Sequence, residues 1–301
     1  MGEIKLSYGT NGIKKYDIHQ AIQKLSELDY DAIDLMADRP HAYPPDLDKE
    51  KRNKIKETLE ETNMKVANIN ASTVSAIYEN KVKELNKLNL PPALTDYCEM
   101  YEPSLISQSE ECRQLRIEYL KQCIDLAVDM EANCVSTFSG IRLPGTQPEE
   151  SWNWMINGLQ EWINYASTKN IKILLEPEPF HLIERIEDMK RLLKELNSNW
   201  FGVNLDIGHS YCIEGSVDAL VKAIKDLKAK IGHIHLEDIK NRYHHHIIPG
   251  EGDIGKNGLK RIISALKNIG FSQFITVELY TYNDIPEMAA KKSIKVLKEI
   301  I

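Results

Sequence analysis

No apolar run in this 301-residue chain approaches 18 residues, and the start, MGEIKLSYG, has no basic stretch leading into an apolar core. Neither a membrane span nor a signal peptide is therefore expected. Cysteine is sparse: five residues (98, 112, 123, 134 and 212), odd in number and without a CxxC pair. They read as reduced, structural thiols of a cytoplasmic protein rather than a disulfide framework. Positive charge is also short, with 38 Lys and Arg against 45 Asp and Glu for a formal charge of −7. Affinity for a phosphate backbone rests on clustered Lys and Arg, so no nucleic-acid partner is expected. Low-complexity tracts, linkers and repeats are missing too. Residues 1–301 are accordingly expected to form one domain.

What the chain does have is a rhythm. Strand-like segments at 4–8, 32–36, 65–70, 133–138, 171–176, 201–206, 231–236 and 273–279 alternate with helical patterns. In 17–28, Ile18, Ala21, Ile22, Leu25 and Leu28 recur at helical spacing behind Asp17, a fitting N-cap. Similar patterns cover about 46–64, 109–130, 149–169, 186–197, 216–229, 257–269 and 285–300, with Ser216 and Asn257 as N-caps and Gly270 as a stop. Eight strands and eight helices in strict alternation predict a (β/α)8 barrel of the α/β class. The stretch 71–108, which contains Pro91, Pro92 and Pro103, breaks the rhythm and is expected to be an irregular lid.

Four residues carry the chemistry. Glu176, Asp206, His235 and Glu278 each stand at the C-terminal end of an apolar run (IKILLE, FGVNLD, IGHIHL, FITVEL), with gaps of 30, 29 and 43 residues. Each gap suits a strand plus a crossover helix, so all four would converge on the barrel face where such folds do chemistry. Three carboxylates and an imidazole make a site for a divalent metal. Strand alternation turns Leu174, Asn204, His233 and Thr276 inward beneath them, and three of these can orient ligands by hydrogen bonds. Asp34, Arg39, His41 and Arg142 are further residues able to reach the mouth. Trp152, Trp154 and Trp162 share a helical segment and read as packing on the barrel exterior.

The segment GEGDIG at 250–255 matches GxGxxG. A dinucleotide fingerprint must follow its strand at once, and about a dozen polar residues intervene here. A tight turn explains these glycines better.

The segments NLDIGH, GHIHLED, PGEGDI and TVEL resemble the sugar isomerase/epimerase superfamily with a xylose-isomerase-like barrel, which includes ketose 3-epimerases, inosose dehydratases and endonuclease IV-type nucleases. The motifs lie between about 170 and 280, and the order of elements extends the likeness along the chain. The resemblance implies metal ligation by Glu176, Asp206, His235 and Glu278, with Glu176 and Glu278 also moving the proton. It implies substrate contacts from His209, Arg242 and His246, although the spacing to Arg242 is off by about one residue. A second glutamate usual in the epimerase branch is replaced by Leu182, and Glu178 or Glu184 would have to stand in for it. LLEPEPF also looks like the EPKP stretch of xylose isomerase, with Glu178 in place of the lysine, which argues against an aldose isomerase of that type. In the nuclease branch the places of His244 and His246 bind an additional zinc, so a second metal is conceivable here.

The expected function is a metal-dependent isomerase or epimerase acting on a keto sugar or related polyol through an enediolate. One divalent ion is expected, manganese by preference, with magnesium, cobalt or zinc as alternatives. The alternatives are a lyase of the same enolate type (a dehydratase or deglycosylase), an abasic-site nuclease and a non-catalytic carbohydrate-binding barrel. The partner is a small carbohydrate; self-association stays open.

Overall fold

The computed structural model describes residues 3–81 and 92–301. Its strands in chain order are β1 (Lys5–Gly9), β2 (Ala32–Met36), β3 (Lys65–Asn70), β4 (Cys134–Thr137), β5 (Lys172–Leu175), β6 (Phe201–Asp206), β7 (Ile231–Leu236), β8 (Asp238–Lys240), β9 (Tyr243–Ile247) and β10 (Phe274–Val277). Eight of them close into a barrel in the order β1-β10-β7-β6-β5-β4-β3-β2, every pairing parallel; β8 and β9 form a separate antiparallel hairpin. This is a (β/α)8 barrel. Around it lie α1 (Ile18–Glu27), α2 (Lys49–Glu61), α3 (Ser75–Lys81), α4 (Pro92–Tyr101), α5 (Glu110–Asp129), α6 (Pro148–Lys169), α7 (Ile186–Leu196), α8 (Ile207–Glu214), α9 (Val217–Leu227), α10 (Gly255–Asn268) and α11 (Pro286–Ile300).

Local chemistry sets these boundaries. The Asp17 carboxylate accepts from the Gln20 amide at 2.9 Å and Ser216 Oγ from the Ala219 amide at 3.2 Å, each satisfying a first-turn donor that the helix cannot. Asn257 does not cap: α10 begins at Gly255, so Asn257 lies in its first turn. The amides that open this helix are turned onto Asp238 instead, whose carboxylate accepts from Gly250, Ile254 and Gly255 at 3.0 Å each. Three of the GxGxxG amides are thus spent on an internal aspartate, and those of Glu251 and Asp253 on the carbonyls of Ile248 and Ile239. No phosphate is needed to explain them.

The stretch 71–108 is not irregular throughout, because α3 and α4 lie inside it; its part at 82–91 falls outside the described residues. Trp162 on α6 is fully buried and donates to the Leu120 carbonyl of α5 at 3.2 Å, while Trp152 and Trp154 stack under Arg191 and Arg113 at 3.8 and 4.2 Å. Arg116 on α5, also buried, donates to the carbonyl of Ala71 at 2.6 Å and reaches Thr137, tying the ends of β3 and β4 together below the mouth. Beneath the site, Leu174 fills the space left by Gly202 and Gly232, where an added Cβ would lie 3.1 and 2.6 Å from its methyl carbon.

Candidate active site and metal centre

Strand register assembles the centre. Asp206 on β6 is paired with His235 on β7, and His235 with Thr276 on β10, while Glu176 and Glu278 follow β5 and β10 directly. The four side chains are buried, and one ligand atom from each lies within 4.8 Å of all the others. Asp206 has a divided role. Its Oδ1 accepts from the His209 amide at 2.6 Å, capping α8, and its buried Oδ2 has no protein partner.

His235 is fixed from beneath. Its Nε2 donates to Asp34 Oδ2 at 2.6 Å, which leaves Nδ1 facing Glu176 Oε1 at 3.2 Å and Glu278 Oε1 at 3.6 Å. Asp34 also meets His233 Nε2 at 3.2 Å and Asn68 at 3.2 Å. Burial pushes the Asp34 carboxyl up, but bonds from His233 and His235 outweigh it and hold it at about 2. Of the inward residues, Asn204 donates to Glu176 at 2.8 Å, His233 bonds Thr276 at 2.8 Å, and Thr276 bonds Ser7.

A second layer of histidines lies above. His246 Nδ1 donates to the Glu278 carbonyl at 2.8 Å, so its Nε2 is an acceptor, and it receives the His209 Nε2 proton at 3.0 Å. His209 Nδ1 meanwhile lies 2.8 Å from Glu178 and 3.4 Å from Glu176. Burial opposes charge on both rings. The Asp206 and Glu178 carboxylates overcome this for His209 and raise it well above the usual range; His246, facing that cation, falls well below. His244 stands beside them, its ring 4.6 Å from His209, lowered to about 3 by burial and by the His209 charge. His209, His244 and His246 also have ligand atoms within 4.8 Å of one another.

Crowding of carboxylates shows in their protonation. Burial raises both Glu178 and Glu278 to about 7, with Glu176 and Asp206 adding to the effect. Glu176 goes the other way: burial is outweighed by His235 and His209. Glu237, buried with both oxygens unpartnered, is pushed well above the carboxylate range by burial and then by Asp206. It lies so close to α8 that a Cβ on Gly208 would sit 1.8 Å from its Oε1.

A cavity of about 40 Å³ opens on this centre, its lining including Glu178, His209, His244 and Glu278 together with Tyr101, Phe138 and Tyr280. Among the described residues no Lys or Arg lines it. Arg242 does not reach it. Its guanidinium is spent on the carbonyls of Cys212 and Ile213 at the end of α8, at 2.8 to 3.0 Å. Arg39 pairs with Asp46, His41 bonds the Tyr16 carbonyl, Arg142 bonds that of Thr146, and Glu184 accepts from the Phe180 amide. Asn11 and Asn70, which sequence reasoning missed, donate to Glu278 Oε1 at 2.9 and 3.2 Å. Asn70 ends β3, so the strand-end rule could have found it; Asn11, in the turn after β1, gave no such signal.

Comparison with known proteins places these features in context. A family model described as Xylose isomerase-like TIM barrel matches residues 22–300. Fructoselysine 3-epimerase of Shigella flexneri is 23% identical, over 99% of this chain and 98% of that protein. Among solved structures, a D-tagatose 3-epimerase-like protein superposes with a TM-score of 0.76 at 20% identity, covering 99% of this chain and 97% of the other. The IOLI protein with a binding zinc atom gives 0.74 at 18% identity, covering 99% and 98%. At these identities the structural likeness is one of fold.

Proposed function

The chain belongs to the xylose isomerase-like TIM barrel family, and on that premise we propose that it is a divalent-metal-dependent epimerase or isomerase of a keto sugar. The observation that carries this reading is the convergence of Glu176, Asp206, His235 and Glu278 on one buried point. These residues fit an ion: an orphaned Asp206 oxygen, an imidazole nitrogen turned toward two carboxylates, and a Glu278 carboxyl raised by burial and then by its carboxylate neighbours are all relieved by a dication. When bound, the ion would polarise the substrate carbonyl and acidify the adjacent C–H.

The chain's own residues supply the rest. Glu176 and Glu278 flank the centre from β5 and β10, and in this reading one takes the proton and the other returns it. Asn204 holds Glu176, while Asn11 and Asn70 hold Glu278, which fixes each carboxylate in place. His209, as a cation, gives its Nε2 proton to His246 and keeps Nδ1 beside Glu178, so it would hold that carboxylate beside the cavity and place positive charge near a developing oxyanion. Among the described residues no Lys or Arg lines the cavity to pair with a phosphate, while Glu178 and Glu278 do line it, which favours an uncharged sugar. That the relative named above is a 3-epimerase supports epimerisation next to a ketone.

A second reading, a dehydratase-type lyase, shares the first proton abstraction. It has one observation in its favour: Glu178, held at about 7, faces the cavity and could protonate a departing hydroxyl.

The test is a panel of ketoses, inososes and oxo-glycosides in D₂O with added metals. Deuterium uptake at carbon with an epimeric product is expected; uptake with loss of water would move the assignment to the lyase, and no uptake anywhere would leave a binding barrel. Metal analysis should find about one tightly bound ion per chain. Two equivalents would bring in His209, His244 and His246.

A further inference from the structure

The cations that the mouth lacks are found at the opposite end of the barrel. A second cavity, of about 490 Å³, lies where the strands begin: Cys134, Lys172 and Phe274 line it, and they are the first residues of β4, β5 and β10. Small-molecule sites usually measure roughly 300–1,000 Å³, so this space is large enough for one. The barrel floor explains the room. Folds of this kind usually fill their interior with layers of bulky branched side chains. Here the strands bring Ala67, Cys134 and Gly232 to the cavity instead. With so little bulk in the floor, His233, only 1% exposed, also lines the space.

That imidazole is half satisfied. Its Nε2 lies 2.8 Å from Thr276 Oγ1 and 3.2 Å from Asp34 Oδ2. Its Nδ1 has no hydrogen-bond partner among the described residues. A buried ring nitrogen in that position calls for a partner from the cavity. The wall is charged as well. Lys172 and Lys228 line the cavity and no Asp or Glu does; neither lysine has an ion pair among the described residues. In a chain with a formal charge of −7, a recess lined by cations alone stands out. Lys228 holds its place against its own backbone, at φ +45° and ψ −121°, a combination that glycine enters freely and a side chain does not. Trp200 adds a flat apolar face to the lining.

We propose that this cavity is a binding site for a small hydroxylated organic anion. Its phosphate or carboxylate would meet Lys172 and Lys228, a hydroxyl would meet Nδ1 of His233, and its carbon skeleton would lie against Trp200. A hydroxyl suits that nitrogen because it can donate to it or accept from it. The site is separate from the chemistry at the mouth, on the face where these barrels carry no catalytic groups.

The experiment is calorimetry on the metal-loaded protein with a ketose phosphate, an aldonate of the same chain length, the free ketose and methyl phosphate. The ketose phosphate or the aldonate should bind in the millimolar range or tighter, and the tighter of the two identifies the oxyanion. Lys172→Met and Lys228→Gly should each weaken that binding about tenfold or more, as the loss of one charge-assisted bond implies. Glycine suits the backbone at 228, so a loss there cannot be put down to misfolding. Metal content and any binding of the free ketose should match the parent, since both belong to the mouth. Anion binding that survives both substitutions would place the oxyanion at the metal and overturn the proposal. So would methyl phosphate binding as tightly as the ketose phosphate and the aldonate, which would leave a bare ion site without a hydroxyl contact. Failure of both hydroxylated anions to bind would overturn it outright.

Discussion

Replacing Asp34 by Asn tests whether His235 is held as a ligand from below. Asp34 Oδ2 accepts from His235 Nε2 at 2.6 Å and from Asn68 at 3.2 Å, with His233 Nε2 also at 3.2 Å. Asparagine keeps the shape and removes the charge that fixes which nitrogen of His235 carries the proton. Partners of this kind contribute about 10–100-fold to metal affinity, or roughly 1.4–2.8 kcal/mol. Asp34 and His235 are both almost wholly shielded from water, so the upper part of that range is expected, about 30–100-fold. The carboxyl also stabilises the fold. Its value drops from 3.8 to about 2, so it contributes on the order of 2 kcal/mol above pH 4. Because the folded-state value is the lower one, that contribution is lost as pH falls from about 4 through about 2. The assay is competition with a chromophoric chelator at neutral pH, with circular dichroism to confirm folding. A folded variant whose metal affinity stays within about threefold of the parent would refute the reasoning.

Other outcomes follow from the same geometry. Glu176→Gln and Glu278→Gln should each lower turnover by about 10²–10⁴ beyond any loss of metal occupancy, and each should fail first with a different epimer in D₂O; if both retain metal and exchange both epimers normally, the bases are Glu178, His209 or His246. Metal affinity should rise with pH, because Glu278, raised to about 7, and His235, raised well above its usual range, must both lose protons to bind; chelator titrations between pH 6 and 8 that show a flat profile would contradict this. Trp162→Ala, which empties a fully buried site between α5 and α6, should cost about 3–5 kcal/mol in denaturant unfolding; a loss below about 1 kcal/mol would mean the helices close over the gap.

The barrel was legible because its signals are periodic. Strands 32–36, 65–70, 201–206 and 231–236 match residue for residue, since each is an apolar run bounded by turn chemistry. What escaped was aperiodic. The helix α8 begins on the residue after β6, so IGHSYCIE has no loop to announce it and is too short to display a face. The β8–β9 hairpin is built from DIK and YHHHI, charged and imidazole-bearing segments that do not alternate. At the site, strand-end residues could be listed from spacing, but directions could not. Arg242 was legible as a cation near the mouth; that its guanidinium turns to the end of α8 depends on a turn conformation that no composition encodes. Glu237 was invisible for the opposite reason, because alternation with His235 would have grouped it with the inward residues only if β7 had continued past Leu236.

Asp206 has an implication for how such chains are recognised. The interval between it and His209 is set by a backbone contact, since the carboxylate that begins α8 binds the amide of the third residue into the helix. An aspartate followed three places later by histidine is therefore partly an architectural mark, the way this strand turns into this helix. Insertion or deletion inside Asp206–His209 would break that cap, at a cost of about 0.5–2 kcal/mol, even in a copy that no longer performs chemistry. A profile that scores those two positions as evidence of activity would keep awarding that score to inactive descendants. Asn11 is a letter without a side-chain bond to nearby backbone of that kind, and its amide serves Glu278 across the barrel.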